Sequence, residues 1–328
     1  MGPYVHDIDP IIADVAGVHF WWYGLSYSLG FLQMFLYTMR HRALLGLTRD
    51  EVYTLTLMLS VSVLLGGRAV EVLSDEWSFY SQHPEFVPRY WLGGMATHGL
   101  LLGAAAGTWL FARVSGTSFL RLADALAVPG AFLMGVGRLG NFVDGQIVGR
   151  VTDVWWAVQF PYADGFRHPV VLYDGAKNLL LMPYLAHVWR TNDTPGATAA
   201  RFVFWYAFPR IFIDLFREYP THRLALGTGQ TLNLAMAMLG VVLLVRSRMR
   251  RLGKLAPLHQ GEQSSARQTS PRLWQRLALA ALLIFCLTIP SNWTQDVPTH
   301  YAGRHDGLRH SWLYPAIATA PPASVAGP

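Results

Sequence analysis

Arg68, Arg138, Arg210 and Arg217 each lie within, or at the end of, a long apolar run. Charge in such a setting is costly to desolvate, so an ionisable residue there marks a working site by default. Arginine's forked donors match phosphate oxygens with paired hydrogen bonds, and the chemistry this set suggests is anion binding. At about 100° per residue, Tyr206, Arg210, Asp214 and Arg217 fall within an arc of roughly 80° on one helical face. That face must point into protein or water, because lipid offers no polar partner. Asp214 stands four residues from Arg210 and three from Arg217 and can pair with either. A bundle-stabilising ion pair is the competing reading of this face alone. Several arginines with a single nearby carboxylate favour the anion site.

The sequence around His98 reads W-L-G-G-M-A-T-H-G, where Gly93, Gly94 and Gly99 let backbone or ligand approach closely. A lone histidine on an apolar helix is ordinarily a packed core residue; set among cations it can serve instead as a general base. The stretch from Gly137 to Tyr173 adds Arg138, Asn141, Asp144, Gln146, Gly149 and Tyr173, and Tyr23 stands early in the first apolar run. No second histidine stands at metal-ligand spacing from His98, and neither a metal nor a cofactor is expected. His300, His305 and His310, with Trp293 and Arg304, are irregularly spaced in a Pro-rich segment and read as an exposed tail. Cys286 is the single cysteine and matches no redox or metal spacing.

Composition sets the elements that must position these residues. Of 328 residues, 52% are hydrophobic and 14% charged, and mean hydropathy is positive; a soluble domain carries about 25% charged residues. The expected fold class is all-α, a polytopic helical membrane protein. Apolar runs near the roughly 20 residues a helix needs to cross a bilayer lie at about 18–38, 51–73, 95–114, 122–137, 170–189, 200–217, 226–246 and 274–290. Arginines cluster after the first, third, fifth and seventh runs, which by the positive-inside rule puts those connections in the cytoplasm and the N-terminus outside. Tyr23, Arg68, His98, Arg138, Asn141, Tyr173, Arg210, Arg217 and Gln230 then all fall in the outer half of the membrane. The net charge of +6 reads as topology signal and anionic-lipid contact; no basic-aromatic nucleic-acid module accompanies it, and no nucleic-acid partner is expected. Neither a signal peptide nor a myristoylation motif is read at the start.

The expected organisation is a membrane domain over 1–254, with an irregular outer-face segment at about 138–170. A cytoplasmic linker at 255–273, an extra transmembrane helix at 274–290 and a Pro/Ala-rich outer tail over 291–328 complete it.

Ordered blocks then carry a resemblance. W-Y-G at Trp22 to Gly24, L-G-G-R at Leu65 to Arg68, G-G-M-A-T-H-G around His98, G-R-L-G-N-F at Gly137 to Phe142, and G-R at Gly149-Arg150 precede R-H-P-x-x-L-Y from Arg167 and Y-x-x-x-R with F-R at Tyr206 to Arg217. Over about 15–250 the chain resembles the prolipoprotein diacylglyceryl transferase family. The resemblance implies transfer of a diacylglyceryl group from phosphatidylglycerol to the thiol of a lipobox cysteine in a prolipoprotein, releasing glycerol phosphate at the outer side of the bacterial inner membrane. It implies that Arg138 and Asn141 bind phosphatidylglycerol, that Arg210 is a second phosphate-facing arginine, and that His98 is the thiol base. Tyr23 and Tyr206 become polar site residues and Gly149 a required glycine, with Arg68 and Arg217 as further lipid contacts and Asp144, Gln146, Asp214 and Tyr173 in support.

Val143-Asp144-Gly145-Gln146 replaces the family's usual I-N-G-E, Leu92 its Asp, and Val170-Val171 its Ser-Gln. Asp144 and Gln146 are expected to be a rearranged version of the same site. Two other readings stay open: a catalytically altered paralogue that binds anionic lipid or precursor, and an anion transporter, which the missing internal repeat disfavours.

Overall fold

The computed structural model describes residues 3–218, 222–223, 226–253, 271–291 and 296–317. The linker expected at 255–273 lies almost wholly outside these residues, as does Trp293. Three short strands open the chain: β1 (Tyr4–Val5), β2 (Ile11–Val15) and β3 (Val18–Trp21). Helices α1 (Trp22–Leu45) and α2 (Arg49–Val70) follow, then an irregular stretch holding α3 (Trp77–Tyr80), then α4 (Thr97–Ser115) and α5 (Phe119–Val143). Strands β4 (Val158–Gln159) and β5 (Phe166–Arg167) precede α6 (Val170–Thr191) and α7 (Ala197–Ile213). The hairpin of β6 (His222–Arg223) and β7 (Leu226–Gly227) leads into α8 (Thr228–Arg251), α9 (Leu273–Leu287) and the short α10 (Val297–Tyr301).

The chain is a helical membrane protein. Eight of the described helices have 15 to 25 residues, and each covers most of one apolar run. Three stretches, Arg49–Asp75, Phe119–Val143 and Gly229–Arg251, are long and apolar enough to cross a membrane by length and composition. Helix starts follow local chemistry. Thr48 Oγ1 accepts from the Glu51 amide at 3.2 Å while Glu51 Oε2 accepts from the Thr48 amide at 2.8 Å, a reciprocal cap on α2. The first turn of α7 is capped from another helix: buried Asp124 of α5 accepts from the amides of Gly196, Thr198 and Ala199 at 2.6 to 2.8 Å.

Close approach between α2 and α4 depends on small residues, as membrane helix pairs commonly do. A Cβ on Gly103 would meet the Ser62 carbonyl carbon at 2.8 Å and the Val63 Cα at 3.0 Å, both backbone atoms that cannot swing away. We therefore expect Gly103→Ala to cost about 1–3 kcal/mol through overpacking. Gly137→Ala, where a Cβ meets nothing within 4 Å, is the control. Denaturant titration in detergent checks it: equal stability of the two variants would remove the packing explanation.

Two expectations change. The fourth apolar run is expected at about 122–137, with an irregular segment over about 138–170, and α5 continues through Arg138 and Asn141 to Val143; Arg138 is paired inside the protein, so its charge does not end the helix. The C-terminal segment is not an exposed tail over 296–317. Val297, Tyr301 and Tyr314 are buried with Ile11, Trp21, Val72, Tyr80, Phe86 and Leu92 in one apolar cluster. Leu92, at the position where the resemblance leads one to expect Asp, is 1% exposed in that cluster.

Helix α9 packs on α1. Ser28 Oγ donates to the Leu283 carbonyl at 2.6 Å, and a Cβ on Gly24 would lie 2.7 Å from the Leu287 carbonyl carbon.

Candidate functional site

Arg138, one and a half turns from the end of α5, projects its three nitrogens at three partners. Nε donates to Asp174 Oδ2 at 2.7 Å, Nη1 to Asn141 Oδ1 at 3.0 Å and Nη2 to the Thr97 hydroxyl at 3.3 Å. Asp174, on α6 and 1% exposed, also accepts from Arg210 Nη1 of α7 and lies 2.9 Å from Lys177 Nζ. Arg210 Nε is 3.7 Å from Asp214 Oδ1, and Asp214 Oδ2 accepts from Asn233 of α8 at 2.9 Å. Three cations thus surround two carboxylates in a buried cluster. Paired and hydrogen-bonded burial is what makes such charge tolerable in an apolar bundle.

His98, in the first turn of α4, completes the group. Arg210, Arg138 and Asp214 are its charged neighbours and the Asn233 amide stands beside it. Its buried Nε2 has no hydrogen-bond partner among the described residues. Tyr206 is 1% exposed, with its hydroxyl toward Arg138 and its ring 4.4 Å from Lys177 Nζ. Tyr23 shares a hydrogen bond of 3.1 Å with Tyr27. Its place beside α5 is allowed by Gly140, where a Cβ would lie 2.8 Å from the Tyr23 Cα.

Two spaces meet at Arg138. One, of about 210 Å³, is lined by Arg138, Asp174, Arg210, Asp214 and Arg217 with Ile147, Val170, Val171 and Ile213. The other, of about 320 Å³, is lined by Arg138, Asn141, Tyr23, Ser26, Tyr27 and Thr97 with Leu100, Leu133, Met134 and Gly137. The first is cationic and suits an anion; the second is largely apolar with a polar end.

Of the residues singled out from sequence, His98, Arg138, Asn141, Arg210, Tyr206, Tyr23, Asp214 and Arg217 come together here. Gly149 borders the site through its backbone: its amide donates to the His168 carbonyl at 3.1 Å, and a Cβ would lie 2.8 Å from the Phe216 carbonyl oxygen. Arg68 does not join them and lines neither space. Its guanidinium donates to the carbonyls of Phe86 at 2.8 Å, Val87 at 2.9 Å and Gly94 at 3.1 Å, and to that of Gly93. It pins the irregular stretch before α4. Tyr173 faces outward, accepting from Trp156 Nε1 at 2.6 Å.

Asp144 and Gln146 also face away from the arginines. Asp144 Oδ2 accepts from the Ser291 amide at 2.9 Å, and Gln146 Nε2 stands 3.1 Å from His300 Nε2. Burial pushes the His300 imidazole down to about 4, so at neutral pH that contact is between neutral groups. Gln146→Glu is therefore expected to keep the activity that the family resemblance implies within about fivefold of the unmodified protein, since a bond here lies outside the charged cluster and is worth roughly 1 kcal/mol. Activity in membranes checks this; a loss beyond tenfold would return Gln146 to the site.

The family model for prolipoprotein diacylglyceryl transferase matches residues 10–246. The chain belongs to that family. It is 36% identical over 255 residues to the phosphatidylglycerol–prolipoprotein diacylglyceryl transferase of Geobacter sulfurreducens, covering 75% of this chain and 98% of that protein. Like-named proteins of Nitrosomonas europaea and Pasteurella multocida are 36% and 34% identical, covering 72% of this chain in each case and 88% and 91% of the relative.

Sequence reasoning missed Asp174 and Lys177. Their signal was available: an acid and a base three apart within an apolar helix, the spacing of a helical ion pair. The expectation of a single carboxylate near the arginines is thereby corrected to two.

Proposed function

We propose that this cluster is the site where a diacylglyceryl group passes from phosphatidylglycerol to the thiol of a lipobox cysteine. Family membership makes the chain a transferase of lipoprotein maturation; the role of each residue is our reading. The observation that carries it is the convergence of Arg138 and Arg210, from separate helices, on one space beside His98. His98 Nε2 takes the thiol proton, because a thiol with a pKa of about 8.5 attacks as its thiolate. The sulfur forms a bond to the glycerol carbon that carries the phosphate ester. The carbon–oxygen bond breaks, its electron pair leaves on the phosphate oxygen, and glycerol phosphate departs between the two arginines, which stabilise the added charge. Asn141 and Thr97 hold the Arg138 fork, and Tyr23 and Tyr206 close its sides. The apolar space along Leu100, Leu133 and Met134 suits the glyceryl and acyl portion of the lipid.

In this reading the chain crosses the bacterial inner membrane several times, with its N-terminus and site toward the outside and residues 255–273 in the cytoplasm. The positive-inside pattern supports that orientation. Complementation tests the function: a host depleted of its own transferase expresses this chain, or its His98→Ala variant, with a model prolipoprotein. Thioether-linked lipid is expected with the unmodified chain and not with His98→Ala. Failure of the inserted, unmodified chain would sink the proposal, and uptake of a labelled anion into vesicles would point to transport instead.

A further inference from the structure

Helix α5 carries Arg138 and Asn141 and ends at Val143, and the last carbonyls of any helix need partners from outside it. Here they are all accounted for. The carbonyls of Gly140 and Asn141 accept from the amides of Asp144 and Gln146 at 3.0 and 3.1 Å. That of Phe142 accepts from the Gly145 amide at 2.9 Å and stands 2.7 Å from His6 Nε2. The two that remain, Val143 and Asp144, both accept from Arg304, at 3.2 Å from Nη1 and 2.7 Å from Nη2. Arg304 Nη1 also reaches the Ile8 carbonyl at 3.3 Å, so one guanidinium ties the helix end to the N-terminal segment.

Arg304 belongs to the C-terminal segment, beyond the 10–246 family match, and its own position is fixed. The guanidinium lies 5.3 Å from the Tyr162 ring centroid and 5.5 Å from that of Tyr301, and Tyr301 is fully buried. The Tyr162 hydroxyl donates to the His300 carbonyl at 2.6 Å. A cation at this end of a helix is also favoured by the helix dipole.

We propose that Arg304 is a positioning residue for the phosphate site, acting through α5. It clamps Val143 and Asp144, which keeps Asn141, two residues earlier, aligned to hold Arg138 Nη1 at 3.0 Å. The C-terminal segment thereby contributes to lipid binding without touching lipid. The proposal rests on the reading of Arg138 and Asn141 as the phosphatidylglycerol site.

Full-length protein in nanodiscs, unmodified or carrying Arg304→Ala or Arg304→Lys, provides the test. Three quantities are measured: amide hydrogen exchange over 142–146, affinity for fluorescent phosphatidylglycerol, and thioether formation on a lipobox peptide. In Arg304→Ala, exchange over 142–146 is expected to quicken about tenfold with α8 unchanged, lipid affinity to fall about tenfold, and KM for the lipid to rise more than kcat falls. Arg304→Lys, which keeps a cation at the helix end, is expected to recover part of each loss. Unchanged exchange in Arg304→Ala overturns the clamp. Faster exchange with lipid affinity intact overturns the link to the phosphate site, and so does an affinity loss matched by equal loosening of α8, since that is general destabilisation. If the unmodified protein binds lipid but transfers nothing, the transferase reading fails, while exchange and affinity still decide the role of Arg304.

Discussion

Arg138→Ala is expected to lower diacylglyceryl transfer about a thousandfold, the upper end of what removing one preorganised donor at a developing oxyanion costs, while leaving the protein folded. The fold survives because Asp174, the carboxylate that Arg138 faces, keeps Arg210 and Lys177 as partners. The large loss follows from geometry: among the described residues no other side chain reaches Asp174, Asn141 and Thr97 at once and also borders both spaces. Arg138→Lys is expected to recover no more than about a tenth of the unmodified rate, because the three donors of an ammonium sit on one nitrogen and cannot span partners that Arg138 reaches from three separate nitrogens. Single-turnover transfer from phosphatidylglycerol to a lipobox peptide, alongside a melting curve, measures both. Retention of more than a tenth of the rate by folded Arg138→Ala would show that Arg210 alone carries the phosphate.

How much of this was legible in the sequence depends on the distance over which each residue is determined. The apolar runs predicted the long helices because helix formation in lipid is set locally, by hydrophobicity and the need to satisfy every backbone group within the segment. His98, Arg138, Arg210 and Tyr206 were legible as a group because expensive charge in apolar runs has few explanations. Arg68 obeys the same rule, yet its guanidinium is engaged by backbone rather than grouped with the other arginines. Its partners are carbonyls of Phe86, Val87, Gly93 and Gly94, presented by a stretch where Gly93 and Gly94 adopt φ of 87° and 88°, and such backbone geometry leaves no periodic trace. The C-terminal segment was illegible for a different reason. Its contacts, Arg304 with Val143, His305 with Asp9 and Tyr314 with His19, join residues some 160 to 300 positions apart with no local pattern to announce them.

Asp174→Asn is the second change with a large expected effect, and its sign differs between stability and lipid binding. Asp174 is the only carboxylate that pairs with all three of Arg138, Arg210 and Lys177 among the described residues. Removing one partner of a buried ion pair costs about 3–5 kcal/mol, because the opposite charge stays desolvated and uncompensated. Unfolding in zwitterionic nanodiscs is therefore expected at markedly lower denaturant than for the unmodified protein. A phosphate entering the site supplies the missing negative charge to the same guanidinium groups, so added phosphatidylglycerol is expected to stabilise Asp174→Asn more than it stabilises the unmodified protein. Ligand linkage gives the scale: each tenfold gain in affinity adds about 1.4 kcal/mol once lipid is in excess. Turnover still falls, because Asp174 also sets the distance between Arg138 and Arg210 and an amide holds neither as firmly. Equal stabilisation of both proteins by the lipid would mean that phosphate does not take the place facing Asp174, and the anion site would then have to lie on the Arg217 side of the same cavity.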